Sequence, residues 1–113
     1  MIIYSRYLIR KGYTAFAFWP LIFIKERAKC TPILLRHERI HLRQQLELLV
    51  IPFYILYFLE YLIRRFQYAT WREAYMNISF EREAFAHEKD EDYLRRRRLW
   101  AWTRYVRKKT RTD

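Results

Sequence analysis

Residues 30–51 read "CTPILLRHERIHLRQQLELLVI", and this stretch predicts a helix. Thr31 has the chemistry of an N-cap, because its side-chain oxygen can accept from a backbone N–H of the first turn. Pro32 then falls at the first helical position, where its missing N–H costs nothing. Pro52, just beyond, is expected to end or kink the helix. Inside the stretch His37 and His41 stand at i and i+4, with Glu38 directly after the first. Positions so spaced share one helical face about one turn apart, so both rings can reach a single ion. This is the H-E-x-x-H form of a zinc hydrolase. The histidines ligate, and the glutamate stands near the metal without binding it, placed to take a proton from an activated water. Two unrelated surface histidines would meet the pattern in roughly one chain of this length in a few hundred. The chain has three histidines, and two of them form the motif.

Downstream, a second helix is expected over residues 53–65. Thr70 and Glu73, in "TWRE", form a capping-box pattern that predicts a short third helix. Ser79 is expected to cap a final long helix, "FEREAFAHEKDEDYLRRRR", with acids early and arginines late, as the helix dipole favours. The last dozen residues read as a frayed basic end. Upstream, residues 1–27 are rich in Ile, Tyr and Phe, and Gly12 lies between two such runs. That predicts a small hairpin with "YTAFAFWPLIFIK" as its longer arm. Pro20 interrupts this arm, which points to an edge strand. The fold class is therefore α+β: a mainly helical single domain over residues 1–113 with a small N-terminal β-hairpin (1–27), a helical body holding the metal site (31–98) and a basic tail (99–113).

Composition narrows the function classes. At 52% hydrophobic residues the chain is too apolar to be disordered. Its net charge of +11 predicts attraction to something anionic, whether nucleic acid, lipid headgroups or an acidic protein surface. Cys30 is the single cysteine, so no disulfide framework forms, which suits a reducing compartment. Arg6, Arg10 and Lys11 interrupt the apolar N-terminus, which does not read as a signal peptide. A cytoplasmic location follows, with membrane association as the alternative. Residues 48–59 carry no charge, but a bilayer span needs about 20 apolar residues. Glu47 and Glu60 bound the run, so a buried helix is expected. A membrane-lying helix with Arg64 and Arg65 at the headgroups is the other reading. Trp71, Trp100 and Trp102 read as packing residues; Gln44 and Gln45 could orient the motif helix, with exposed polar positions as the default.

A catalytic zinc needs a third protein ligand, and "NISFEREAFAHEKD" (77–90) offers Glu81 and Glu83. Either could also be a first-turn acid serving the helix dipole. "HERIHLRQQ" (37–45) resembles the H-E-x-x-H-x-x-Q-Q pattern of small bacterial zincins, the minigluzincin-like domains. In the gluzincin group a downstream helix supplies a glutamate in the pattern E-x-x-x-D, and HtpX-like membrane zincins carry it close to E-R-E-Y-x-A-D. "EREAFAH" is similar to the latter, with Glu83 as ligand, Ala86 in place and His87 where the aspartate would stand. His87 is then expected behind the ligands, accepting a hydrogen bond through one ring nitrogen, or approaching the metal itself. An E-x-E-A register, which also occurs in zincin-like domains, would make Glu81 the ligand. Glu83 is preferred here because a polar group then follows at i+4, where Glu81 has Phe85. The resemblance spans roughly residues 31–94. It implies a zinc metallopeptidase with Zn²⁺ on His37, His41 and Glu83, Glu38 as general base, and a peptide or protein substrate. In zincins a strand upstream of the active-site helix lines the cleft, and "FWPLIFIK" (18–25) is the candidate. Two other classes stay open: a basic nucleic-acid-binding module, and a membrane-surface interaction protein without enzymatic activity.

Overall fold

Thr31 caps α1 (Pro32–Leu48), its Oγ1 accepting from the Leu34 N–H at 3.1 Å. The helix runs as expected through both histidines but ends sooner than Pro52 would require. The break is at Leu49, whose φ of 65° lies outside the region open to most L-residues. Such a conformation costs on the order of 1–3 kcal/mol, and it turns the chain by 109° into α2 (Val50–Gln67). Pro52 sits in the first turn of α2, where backbone N–H groups have no helical acceptor, so it starts this helix and does not end the previous one.

Thr70 caps the short α3 (Trp71–Met76) by accepting from the Glu73 N–H at 3.2 Å. The long final helix expected beyond Ser79 is two pieces, α4 (Ser79–His87) and α5 (Tyr93–Arg96). Between them the Asp90 carboxylate accepts from the Asp92 N–H at 3.0 Å, a local turn that competes with the helix. Ser79 is not the cap. It is the first helical residue, and both its N–H and its hydroxyl donate to the Glu60 carboxylate of α2 at 2.5 Å.

The structure, a computed structural model, describes residues 1–9 and 13–107. The turn expected at Gly12 lies outside these residues. The N-terminal unit is a three-stranded sheet in the order β1-β3-β2, formed by β1 (Ile2–Tyr4), β2 (Ala15–Phe18) and β3 (Leu21–Ile24). β1 pairs parallel to β3, with Ile2 opposite Ile22, and β2 pairs antiparallel to it, with Ala17 opposite Ile22. The hairpin is thus β2–β3, and its turn falls at Trp19 and Pro20. What read as one interrupted arm is two strands. β3 is central, and Pro20, in the turn, removes no ladder bond.

α1 packs against β2 on one side and α4 on the other. Phe53 of α2, Ile78 and Phe80 form one buried cluster, joined by Tyr57 and Trp102; Ile40, Ala84 and Tyr93 form a second. Removing a buried phenylalanine from such a cluster costs about 3–5 kcal/mol. Residues 101–105 form a 3-10 turn that lays Trp102 on Phe80, ring centres 4.6 Å apart. The described part of the expected basic tail is therefore packed and not frayed. The fold is α+β and mainly helical, as expected. No single helix among the described residues is long and apolar enough to cross a membrane.

Candidate metal centre

The α-helical period brings His37 and His41 to one face of α1, and α4 lies across that face. His37 Nε2 and His41 Nε2 stand 3.2 Å apart, and Glu81 Oε1 lies 3.0 Å from each. All three side chains are buried. Among the described residues this is the group of His, Cys, Asp and Glu side chains able to hold a metal ion.

The outer atoms of the rings fix the roles of the inner ones. Gln44 points its amide nitrogen at two acceptors, the Phe80 carbonyl (3.0 Å) and Glu83 Oε1 (2.9 Å). Its Oε1 must then accept, so His41 Nδ1 carries a hydrogen and donates to it at 2.8 Å. His37 Nδ1 faces the Glu88 carboxylate at 2.7 Å and donates in the same way. Arg36 holds Glu88 in place by donating to its carbonyl at 2.7 Å. Each Nε2 is therefore left with a lone pair, aimed at its neighbour and at a carboxylate oxygen. Three acceptors at this range are stable only around a cation, either a shared proton or a metal ion. Tetrahedral zinc with bonds of about 2.0–2.1 Å sets its ligand atoms about 3.3 Å apart. The observed 3.0–3.2 Å fits that set.

The electrostatics show the same demand for positive charge. Burial opposes a charged His41, but the Glu81 carboxylate outweighs it and pushes the imidazole up to about 9. His37 is raised as well, burial being overcome by its hydrogen bond to Glu81. Burial alone would raise Glu81, yet the two histidines hold it well below the usual carboxylate range. Tyr57 donates to its other oxygen at 2.6 Å and fixes its orientation. Glu38 differs. Burial raises its carboxyl, only partly offset by the histidines, and it has no hydrogen-bond partner among the described residues. It lines a cavity of about 640 Å³ with His41, Glu81, Phe16, Phe53 and Tyr75.

Glu83 does not face the histidines. It is fully buried on the opposite side of α4, accepting from Arg97 Nε (2.5 Å) and Nη2 (3.0 Å), Tyr93 (2.6 Å) and Gln44. Arg97 and the other donors hold its carboxyl below its ordinary range against the effect of burial. The acid that joins the two histidines is thus Glu81, because residues 81 and 83 point about 200° apart on a helix and Arg97 claims the second. His87 lies with Glu83 and not with the histidine pair: its ring stacks on Tyr93 at 3.8 Å, and Nε2 meets the Tyr105 hydroxyl at 2.9 Å. The groups that orient the two histidines and Glu81 are Gln44, Glu88 and Tyr57; of these, only Gln44 has an orienting role among the sequence expectations. Gln44 had a readable signal, since positions 37, 41 and 44 share one helical stripe. Glu88 and Tyr57 had none.

The strand edge expected in "FWPLIFIK" is also not there. Residues 21–24 form the central strand, paired on both sides. The strand beside the site is β2, and part of its edge is covered. Gln45, fully buried, accepts from the Trp19 N–H at 2.6 Å and donates to the Ala17 carbonyl at 2.8 Å, standing in for a neighbouring strand. Comparison with family models, curated proteins and solved structures returns no match, and the centre stands on its own geometry.

Proposed function

We propose that the chain is a minimal zinc metallopeptidase of the zincin type, with His37, His41 and Glu81 as ligands and Glu38 as general base. The observation that carries this reading is the convergence of two Nε2 atoms and one carboxylate oxygen while both Nδ1 atoms are occupied elsewhere. Two imidazoles and a carboxylate suit zinc and leave a fourth position open. When bound there, zinc supplies Lewis acidity toward water and toward a carbonyl oxygen.

The protein's own groups do the rest. Glu38, with its raised pKa and unengaged carboxylate, takes a proton from water and returns it to the leaving amine, as a general base tuned toward neutral pH does. Tyr57 and Gln44 keep Glu81 and His41 from rotating. The cavity beside the site, lined largely by aromatic side chains, offers room for an apolar side chain of the substrate. The nucleic-acid reading loses part of its basis, because Arg95, Arg96 and Arg97 of the "RRRR" run pair with Asp92, Asp90 and Glu47 plus Glu83.

The test is elemental analysis of protein loaded with zinc and freed of excess. About one zinc per chain is expected, with none retained by His37→Ala or His41→Ala. A wild-type chain that retains no stoichiometric metal would remove the proposal.

A further inference from the structure

The outer face of α2 has no polar residue across four turns. Ile51, Ile55, Leu56, Phe58, Leu59 and Leu62 are all exposed, Ile51 at 61% and Phe58 at 59%, and the face runs on to Phe66 at 94%. At 3.6 residues per turn these positions sweep an arc of about 160°. A continuous apolar surface of this extent is unusual on a protein that meets only water.

The two acids that bound the run in the sequence do not reach this surface. Glu47 turns inward to Arg97 at 2.9 Å and to the Trp100 N–H. Glu60 turns inward to Ser79 and to Arg64, itself 3% exposed. The only charge on the exposed side of α2 is then Arg65. What looked like a run limited by two carboxylates is, in three dimensions, an apolar face with a cationic end and no anion.

We propose that this face is a membrane-surface contact: α2 lies parallel to an anionic bilayer, with its outer residues in the boundary between headgroups and acyl chains. Charge favours this occupant over a second copy of the chain. Each chain carries +11, so two copies repel while an anionic surface attracts both. Shape favours it as well. A helix–helix seam covers a narrower stripe than this arc, whereas an interfacial helix buries a broad apolar face and keeps cations at its border. Exposed Leu8 and Trp71, which line the cavity with Phe58, extend the apolar surface at its rim, and tryptophan is favoured at membrane interfaces.

The test is flotation of the full chain with vesicles of equal parts phosphatidylglycerol and phosphatidylcholine, and with phosphatidylcholine alone. Binding to the anionic vesicles is expected, and weaker binding to the neutral ones. The triple variant Ile55→Ser, Leu62→Ser, Phe66→Ser changes only exposed positions. It should lower partitioning by about a hundredfold or more while circular dichroism stays unchanged. Arg65→Glu should weaken binding to the anionic vesicles alone. Absence of wild-type binding to either vesicle would overturn the proposal, as would equal binding of wild type and triple variant, or equal binding to both lipid mixtures. A wild-type dimer in sedimentation that the triple variant converts to monomer, without vesicle binding, would overturn it in favour of self-association.

Discussion

Glu81→Gln and Glu83→Gln, two isosteric changes two residues apart, should fail in different ways. Glu81 Oε1 lies 3.0 Å from both imidazoles, so Glu81→Gln removes a ligand and the negative charge that balances the ion. Metal content should fall to background, with a modest loss of stability, because the Tyr57 hydroxyl keeps an acceptor. Glu83→Gln leaves the metal group alone but places an amide against Arg97 and Tyr93, four donated hydrogen bonds now meeting a neutral group. Removing one partner of a buried ion pair costs about 3–5 kcal/mol. Glu47 still contacts Arg97 at 2.9 Å, so the lower figure applies. At about 4–8 °C per kcal/mol for a small domain, a loss of about 3 kcal/mol lowers Tm by about 12–24 °C. Thermal melting by circular dichroism, paired with zinc content at a temperature where both variants are folded, reads the two effects separately. A Glu83→Gln protein that melts normally and lacks zinc, beside a Glu81→Gln protein that keeps it, would refute the assignment.

Glu38→Gln should retain zinc and lose peptide hydrolysis by at least about a hundredfold, since it removes a base and no ligand; loss of zinc as complete as in His37→Ala would make Glu38 a ligand. Tyr57→Phe should weaken zinc about 10–100-fold by freeing Glu81 to rotate, read by competition with a chelating dye, and an unchanged affinity would show that the 2.6 Å contact is idle. In metal-stripped protein, His41 is pushed up to about 9 from about 6.5, so its stabilisation is fully present below about pH 6.5 and is lost as pH rises through about 9. Glu81 is shifted down, so its contribution is present above about pH 4.5 and is lost at lower pH. The stripped protein should melt highest between these limits, and zinc uptake at pH 7.5 should release roughly one proton; a Tm flat from pH 6 to 9 with no proton release would contradict the pairing.

The parts of this site that were legible in the sequence are those set by one helix. Thr31, Pro32, His37, Glu38 and His41 lie within eleven residues, and the α-helical period alone places them. The choice between Glu81 and Glu83 was not legible, because it is made by Arg97, fourteen residues beyond Glu83 and past the turn that separates α4 from α5. The resemblance of "EREAFAH" and the polar i+4 neighbour both favour Glu83, and neither carries any signal of Arg97. The strands failed for a related reason. Pro20 reads as a defect within one strand or as a turn between two, and only the antiparallel pairing of β2 with β3 on either side of it decides. Gln44 and Gln45 default to exposed positions because glutamine is usually exposed, yet both are fully buried with every amide group engaged.

The placement of Glu81 and Glu83 on opposite sides of α4 has a thermodynamic consequence. The helix is little more than two turns long, so fixing either carboxylate fixes the direction of the other. An ion on one side and Arg97 on the other are then two ligands of a single rigid element. Linkage requires that each strengthen the other by the same free energy. Zinc occupancy should thus be felt at the C-terminal segment as resistance to proteolysis beyond Arg97. Cleavage there should in turn be felt at the histidines as faster metal loss, although none of the described residues beyond Arg97 is hydrogen-bonded to them.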